Sequence, residues 1–249
     1  MIVRLKIAGR VIEIRTHHEL IVKNCKHYLL SEDFSDPPDI RIETSQKELI
    51  ETYKHLNSLE NSLDYSKLCI DHLESIVIFR KIADAMLSYD TLLIHGAAVA
   101  TAGQGYLLTA DSGVGKTTRS RLWIDNIPGS IVVNGDKPLI HISDESVTLY
   151  GTPWCGKEHW NTNVAVPLRA IFFLERAEEG EADVVEELGT KQAILMLGPQ
   201  THEPAGQNSL LRIMHLLWVM ANNVKCYRLR CAPTAEAVRM AWQAARPKE

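Results

Sequence analysis

One stretch limits what this chain can become: residues 105–118, Gly-Tyr-Leu-Leu-Thr-Ala-Asp-Ser-Gly-Val-Gly-Lys-Thr-Thr. Tyr106 to Thr109 is an apolar run of the buried-strand type, and Lys116 to Trp123 can be helical. Strand, glycine-rich loop, Lys-Thr and helix, in that order, is the layout of a phosphate-binding loop. The residue types fit that chemistry. Gly113 and Gly115 let backbone N–H groups turn inward without side-chain clashes. The helix that follows directs its positive end at phosphate. Lys116 adds a cation for the β- and γ-phosphates, and Thr117 offers a hydroxyl to Mg²⁺. Asp111, Ser112, Gly113, Val114, Gly115, Lys116, Thr117 and Thr118 are therefore the expected nucleotide-binding residues. Ala110 stands where the strict pattern has its first glycine, and alanine resists positive φ. With the rest of the pattern intact, Ala110 reads as a tolerated variant. A glycine-rich turn before an ordinary helix is the plainer alternative, and Gly-x-Gly-Lys-Thr-Thr directly after a buried-type strand argues against it.

Composition sets outer limits. A chain of 249 residues suffices for one large domain or two small ones, and for a sizeable core. A net charge of −4 leaves no basic footprint for nucleic acid. No apolar run approaches the roughly 20 residues that span a bilayer, so no membrane association is expected. The five cysteines form no close metal-type pairs. Their odd number and the lack of a signal peptide lead to the expectation of a reducing, cytoplasmic setting.

Taken in order, residues 2–15 alternate around Ala8-Gly9-Arg10 and read as a hairpin. A short helix is expected over about 20–30, a loop over 33–39 and a strand over 40–43. Ser45, with Glu48 at capping-box distance, opens a helix to about His55. Residues 57–64 read as loop, and apolar residues at helical spacing predict a long helix over 72–88. Residues 92–100 read as one strand that pairs with 105–109 across a turn at 101–104, which brings His95 near the strand of the phosphate loop. Ile131-Val132-Val133 is a short strand ending in Asn134-Gly135-Asp136-Lys137. An acidic residue at the end of a strand after a phosphate loop can hold Mg²⁺ or take a proton from an attacking hydroxyl. Asp136 carries that expectation, against the alternative of an ordinary Asn-Gly-Asp surface turn. A hairpin over 139–150 leads into a loop, 151–160, that gathers Gly, Pro, two Trp, Lys157, Glu158 and a His. Such a loop can line a substrate pocket, or be a rigid loop with its Trp anchored. Strands are expected at 168–174, 184–185 and 226–231, helices at 190–197, 209–221 and after Pro233-Thr234, an acidic turn at 178–183 and a loop at 202–207.

Leu93-Ile94-His95-Gly96, the strand and loop from Leu107 to Thr118, and the strand ending at Asp136 together resemble the HPr kinase/phosphorylase group, which shares its core with phosphoenolpyruvate carboxykinases. Pro153-Trp154-Cys155-Gly156-Lys157 resembles HPr kinase-related proteins found beside peptide-modification genes. By motif the resemblance covers roughly residues 92–174, and more weakly the C-terminal helix and strand; the first 90 residues do not resemble the N-terminal domain of the bacterial HPr kinases. It implies an α/β (α+β) fold, a mixed sheet flanked by helices. A core over 91–249 would carry a packed N-terminal α+β lobe over 1–90. It also implies that His95 is an active-site position, that Lys116 binds phosphates, and that Thr117 and Asp136 bind Mg²⁺, with Asp136 accepting a proton. The family's paired aspartates are Gly135-Asp136 here, so one carboxylate is missing; Asn134 is the nearest polar replacement. Glu158 is the candidate for a metal-binding Glu by spacing, and Lys157 for steadying the phosphoryl group or acceptor.

The expectation is thus an ATP- and Mg²⁺-dependent kinase acting on a hydroxyl: a peptide or protein serine by resemblance, a small-molecule hydroxyl equally by residue chemistry. Its catalytic residues would be Asp136, His95 and Lys116. A nucleotide-binding module without transfer and a phosphorylase- or carboxykinase-like activity are the rivals. A homo-oligomer is compatible with the sequence.

Overall fold

Alternation along each strand decides which layer a side chain joins. The structure, a computed structural model, describes residues 1–31, 33–58, 69–178, 181–204 and 209–246. Its contacts divide the chain into two units, Met1–Ala85 and Met86–Glu249.

In the first unit, β1 (Ile2–Ile7) and β2 (Arg10–Arg15) form the hairpin. Ala8 and Gly9 both take left-handed backbone (φ 48° and 78°), as a tight two-residue turn requires. β3 (Ile40–Glu43) adds to β2 in parallel. Three helices follow or intervene: α1 (Glu19–Asn24), α2 (Gln46–Ser58) and α3 (Ile70–Met86). Ser45 and Glu48 form the expected capping box, with Ser45 N–H donating to Glu48 Oε2 at 2.7 Å and Glu48 N–H to Ser45 Oγ at 3.3 Å. The buried Glu74 of α3 accepts from Thr16 Oγ1, His17 N–H and Thr44 Oγ1, which ties the helix to the strand ends.

The second unit is built on a mixed sheet, nine-stranded among the described residues. Its strands are β4 (Thr91–Leu93), β5 (Ala97–Thr101), β6 (Gln104–Thr109), β7 (Ile131–Asn134), β8 (Leu139–Ile142), β9 (Val147–Tyr150), β10 (Ala165–Arg176), β11 (Val184–Glu187) and β12 (Lys225–Cys231). The order β4-β8-β9-β10-β6-β5-β7 is extended by β12 beside β10, with β11 beside β12. β10 runs parallel to β6 and β12 and antiparallel to β9. Helices cover both faces: α4 (Lys116–Asn126) and α7 (Ala235–Ala245) on one, α5 (Thr190–Leu197) and α6 (Ser209–Asn223) on the other. The period of two in β10 sorts its side chains accordingly. Ile171 and Phe173 join the α5–α6 core, while Ala170, Phe172 and Leu174 join the α4–α7 core. In the latter, Trp123 lies between Tyr106 and Phe172 with ring centroids 5.0 and 6.0 Å away, and its indole N–H donates to Thr101 Oγ1 at 2.9 Å. α7 opens with Thr234, whose hydroxyl accepts from Ala237 N–H.

Two expectations need correction. The helix over 20–30 stops at Asn24, because the backbone of 28–30 bonds to β1 instead: Lys6 N–H to Tyr28 O and Leu30 N–H to Arg4 O, both at 2.9 Å. The single strand over 92–100 is two, β4 and β5, since the chain changes partners between them. β4 pairs with β8, whereas β5 pairs with β6 and β7. Gly96 sits at the crossing, where a Cβ would meet Leu107 Cδ1 at 2.8 Å and Leu108 O at 3.0 Å. The loop expected over 57–64, the acidic turn over 178–183 and the loop over 202–207 fall partly outside the described residues.

Candidate functional site

Strand direction brings the expected residues to one edge. β5 is antiparallel to both β6 and β7. The carboxyl ends of β6 and β7 therefore lie beside the amino end of β5, which places the glycine-rich loop 110–115, Asp136 and His95 together. Carboxyl ends of strands are where open α/β sheets bind ligands.

Lys116, Thr117 and Thr118 form the first turn of α4, and Gly115 precedes it in left-handed backbone at φ 108°. Gly113 is left-handed as well, at φ 82°. Ala110 is not among the positive-φ residues and is buried in the α4–α7 core, so the missing first glycine demands nothing alanine cannot give. Asp111, Ser112 and Gly113 are exposed, Val114 half-buried. The Lys116 ammonium is buried and donates to Ala110 O at 2.8 Å and Asp111 O at 3.2 Å. Burial pulls Lys116 below its ordinary lysine value, against the opposing fields of Asp136 and Asp111. Two arginines brace the loop from behind. Arg176 donates to Gly113 O at 2.6 Å, and the buried Arg119 reaches Val114 O and Cys231 O at 3.3 and 2.6 Å.

Asp136 lies between His95 and Lys137. His95 Nε2 stands 3.3 Å from Oδ1, and Lys137 Nζ 3.4 Å from Oδ2. Burial acts to raise this carboxyl, but His95 and Lys137 outweigh it and hold it below the usual aspartate value. The backbone of Asp136 is fixed as well, since its carbonyl accepts from Gly96 N–H at 2.9 Å. The other ring nitrogen of His95, Nδ1, is 3.1 Å from Gln200 Oε1, and Gln200 Nε2 donates to Asp111 Oδ1 at 3.0 Å.

The loop 151–161 closes over the end of β7. Asn134, fully buried, donates to Thr152 O and Oγ1 (both 3.0 Å) and Trp154 O (3.3 Å), while its Oδ1 accepts from Asp136 and Lys137 N–H at 2.8 and 2.6 Å. Asn134 is thus committed to holding the loop and the turn, which corrects the idea that it replaces the missing carboxylate. Gly135 explains why that carboxylate is missing. A Cβ there would lie 2.6 Å from Cys155 O, and Gly135 N–H already donates to Trp160 O at 2.9 Å. A Cβ on Gly156, which is left-handed at φ 80°, would meet the Cβ of Asp136 at 3.3 Å. The loop therefore reaches Asp136 at the residue just before Lys157 and Glu158, of which Lys157 is exposed and Glu158 half-buried. Trp160 is stacked by Arg121 of α4, 5.3 Å from the ring centre.

The donor set suits Mg²⁺: a hydroxyl, Thr117, in the first turn after the glycine-rich loop, and a carboxylate, Asp136, held in its ionised form. Sequence reasoning did not single out Lys137, Arg176 or Gln200. Lys137 carried a signal in its place beside Asp136. Arg176 and Gln200 carried none, because only the folded sheet brings them to the loop from 63 and 89 residues away. The described cysteines are all free, and among the described residues no helix is long and apolar enough to cross a membrane.

No curated protein matches the sequence. Among solved structures, the chain is similar to the Hpr(Ser) kinase/phosphatase from Coxiella burnetii, at 10% identity and a TM-score of 0.32, over 61% of this chain and 91% of that one. A family model matches residues 59–241, more than half of the chain, and so the protein belongs to the family described as SynChlorMet cassette protein ScmC.

Proposed function

We propose that this protein is an ATP- and Mg²⁺-dependent kinase that transfers a phosphoryl group to a hydroxyl, the serine of a peptide or protein by resemblance to HPr kinases. The observation that carries this reading is the meeting, at one sheet edge, of a phosphate loop with a carboxylate flanked by His95 and Lys137. Phosphoryl transfer asks a protein mainly for positioning and charge neutralisation. The loop amides and Lys116 supply both for a triphosphate. Thr117 and Asp136 would hold Mg²⁺, which neutralises charge on the phosphate oxygens. Asp136, kept ionised, orients the acceptor hydroxyl and receives its proton late in transfer. Lys157 and Glu158, next to the point where the loop abuts Asp136, are the residues nearest to hand for the acceptor.

One observation favours a second reading, a nucleotide-binding module that has lost transfer: the packing of Cys155 O against Gly135 leaves a single carboxylate. A screen with γ-labelled ATP over serine peptides and small hydroxy compounds separates the two. The kinase reading expects labelled product, with Asp136→Asn keeping nucleotide binding and losing about 10²–10⁴-fold in transfer. Nucleotide binding with no transfer to any acceptor, and no hydrolysis, supports the module; full transfer by Asp136→Asn removes Asp136 from the chemistry.

A further inference from the structure

The Gln200 amide joins two parts of the site that the sequence separates. It follows α5 in the short 3₁₀ turn Gly198–Gln200, and backbone bonds seat that turn against the strand leading to His95. His95 N–H donates to Gln200 O at 2.7 Å, His202 N–H to Leu93 O at 2.9 Å, and Ile94 bridges Thr201. The half-buried Gln200 side chain is therefore held in register with His95.

Its orientation is decided by what its neighbours can do. An ionised carboxylate only accepts, so the amide nitrogen of Gln200 must face Asp111, at 3.0 Å. That leaves Oε1 for His95, 3.1 Å from Nδ1. An amide oxygen only accepts, so Nδ1 must carry a proton. The ring is then turned with Nε2 toward Asp136 Oδ1. An ionised Asp136 only accepts, so the chain Asp111–Gln200–His95–Asp136 has one consistent set of donors and acceptors when both ring nitrogens of His95 carry a proton.

We propose that Gln200 is a positioning residue: it fixes the ring of His95 against Asp136 and ties that pair to Asp111 of the phosphate loop. The proposal rests on the reading of this edge as a phosphoryl-transfer centre. Its consequence is that the loop that receives the nucleotide and the group that receives the proton are set by one hydrogen-bond chain. Gln200 touches neither reacting atom; it acts through His95.

The test uses the full chain with Gln200→Ala, Gln200→Glu, Asp111→Asn and the double variant Gln200→Glu/Asp111→Asn. Gln200→Glu puts two carboxylates face to face, and Asp111→Asn restores a donor between them while the introduced carboxylate still accepts from His95. With MgATP, Gln200→Ala lowers kcat about 10-fold or more and leaves KM within about 2-fold. The double variant returns from the depressed level of Gln200→Glu to that of Asp111→Asn alone. In parallel, ¹H–¹⁵N spectra of histidine-labelled protein, assigned with His95→Gln, show a protected Nδ1–H on His95 that is lost in Gln200→Ala and regained in the double variant. Unchanged kcat in Gln200→Ala, or a double variant no better than Gln200→Glu, overturns the proposal. If the wild type binds MgATP without turnover, the kinase reading falls, and the imidazole signal alone decides: a Nδ1–H equally protected in wild type and Gln200→Ala overturns the positioning role.

Discussion

Gly135→Ala tests the claim that the loop 151–161 and a second carboxylate exclude one another. The new methyl would stand 2.6 Å from Cys155 O and 3.5 Å from Trp160 O, both backbone atoms that no rotamer change can move. Relief requires a shift of the loop, which strains the hydrogen bonds from Gly135 N–H to Trp160 O and from Asn134 Nδ2 to Thr152 and Trp154. Overpacking of this kind costs about 1–3 kcal/mol, and the smaller entropy of an unfolded alanine chain offsets less than about 1 kcal/mol of it. Gly135 is not among the positive-φ residues, so backbone strain adds nothing. The expected net loss of about 1–2 kcal/mol lowers the melting temperature of this unit by about 2–8 °C. Gly135→Asp, which restores the paired aspartates, loses at least as much stability. Thermal and urea unfolding of wild type, Gly135→Ala and Gly135→Asp give the comparison. A Gly135→Ala protein as stable as wild type refutes the reasoning, since the loop would then have room that the packing denies it.

Two further outcomes follow from burial and charge. Burial pushes the thiols of Cys25 and Cys226 up to about 12 and raises those of Cys155 and Cys231; a hydrogen bond to Asp71 raises Cys69 as well, but Cys69 alone of the five is exposed to a reagent. A thiol reagent at pH 8 should therefore modify Cys69 at least about 100-fold faster than the buried thiols, and a second fast thiol in the native protein contradicts the packing. The hydrogen bond from Lys81 lowers Glu48 from 4.5 to about 2. A depressed carboxylate contributes stability that is present above pH about 4.5 and lost as the pH falls toward about 2. With both side chains partly exposed, Glu48→Gln should cost only about 0.5 kcal/mol at pH 7, and the gap from wild type should close at pH 2; a gap that persists there assigns the effect to something other than the ion pair.

How much of this could be read from the residues alone depends on the distance over which each signal acts. The elements with local signatures were legible: the hairpin at Ala8-Gly9, the Ser45–Glu48 cap, the helix after Thr234, and the strand, glycine-rich loop and helix over 104–126. The breaks were not. Residues 92–100 look like one strand because every residue in them is strand-compatible, and only the competition between β8 and β6 for backbone partners splits them. Tyr28 to Leu30 are taken by β1 for the same reason. The site followed this pattern. Motif and resemblance single out Lys116, Asp136 and His95, which the fold brings to one edge, while Gln200 and Arg176 reach it through pairings across the sheet that leave no mark on the neighbouring residues. Gly135 carried a signal whose meaning was hidden: the departure from Asp-Asp was plain, but its cause lies in a carbonyl 20 residues downstream.

The central claim is that a nucleotide triphosphate binds at the loop 110–118 with Lys116 as its main cation. The most direct measurement is the melting temperature of wild type and Lys116→Ala, each with and without MgATP. A ligand at about 100 times its dissociation constant stabilises by about 2.7 kcal/mol, so wild type should melt several degrees higher with MgATP and Lys116→Ala should not move. An equal shift in both proteins, or none in wild type at millimolar MgATP, contradicts the claim.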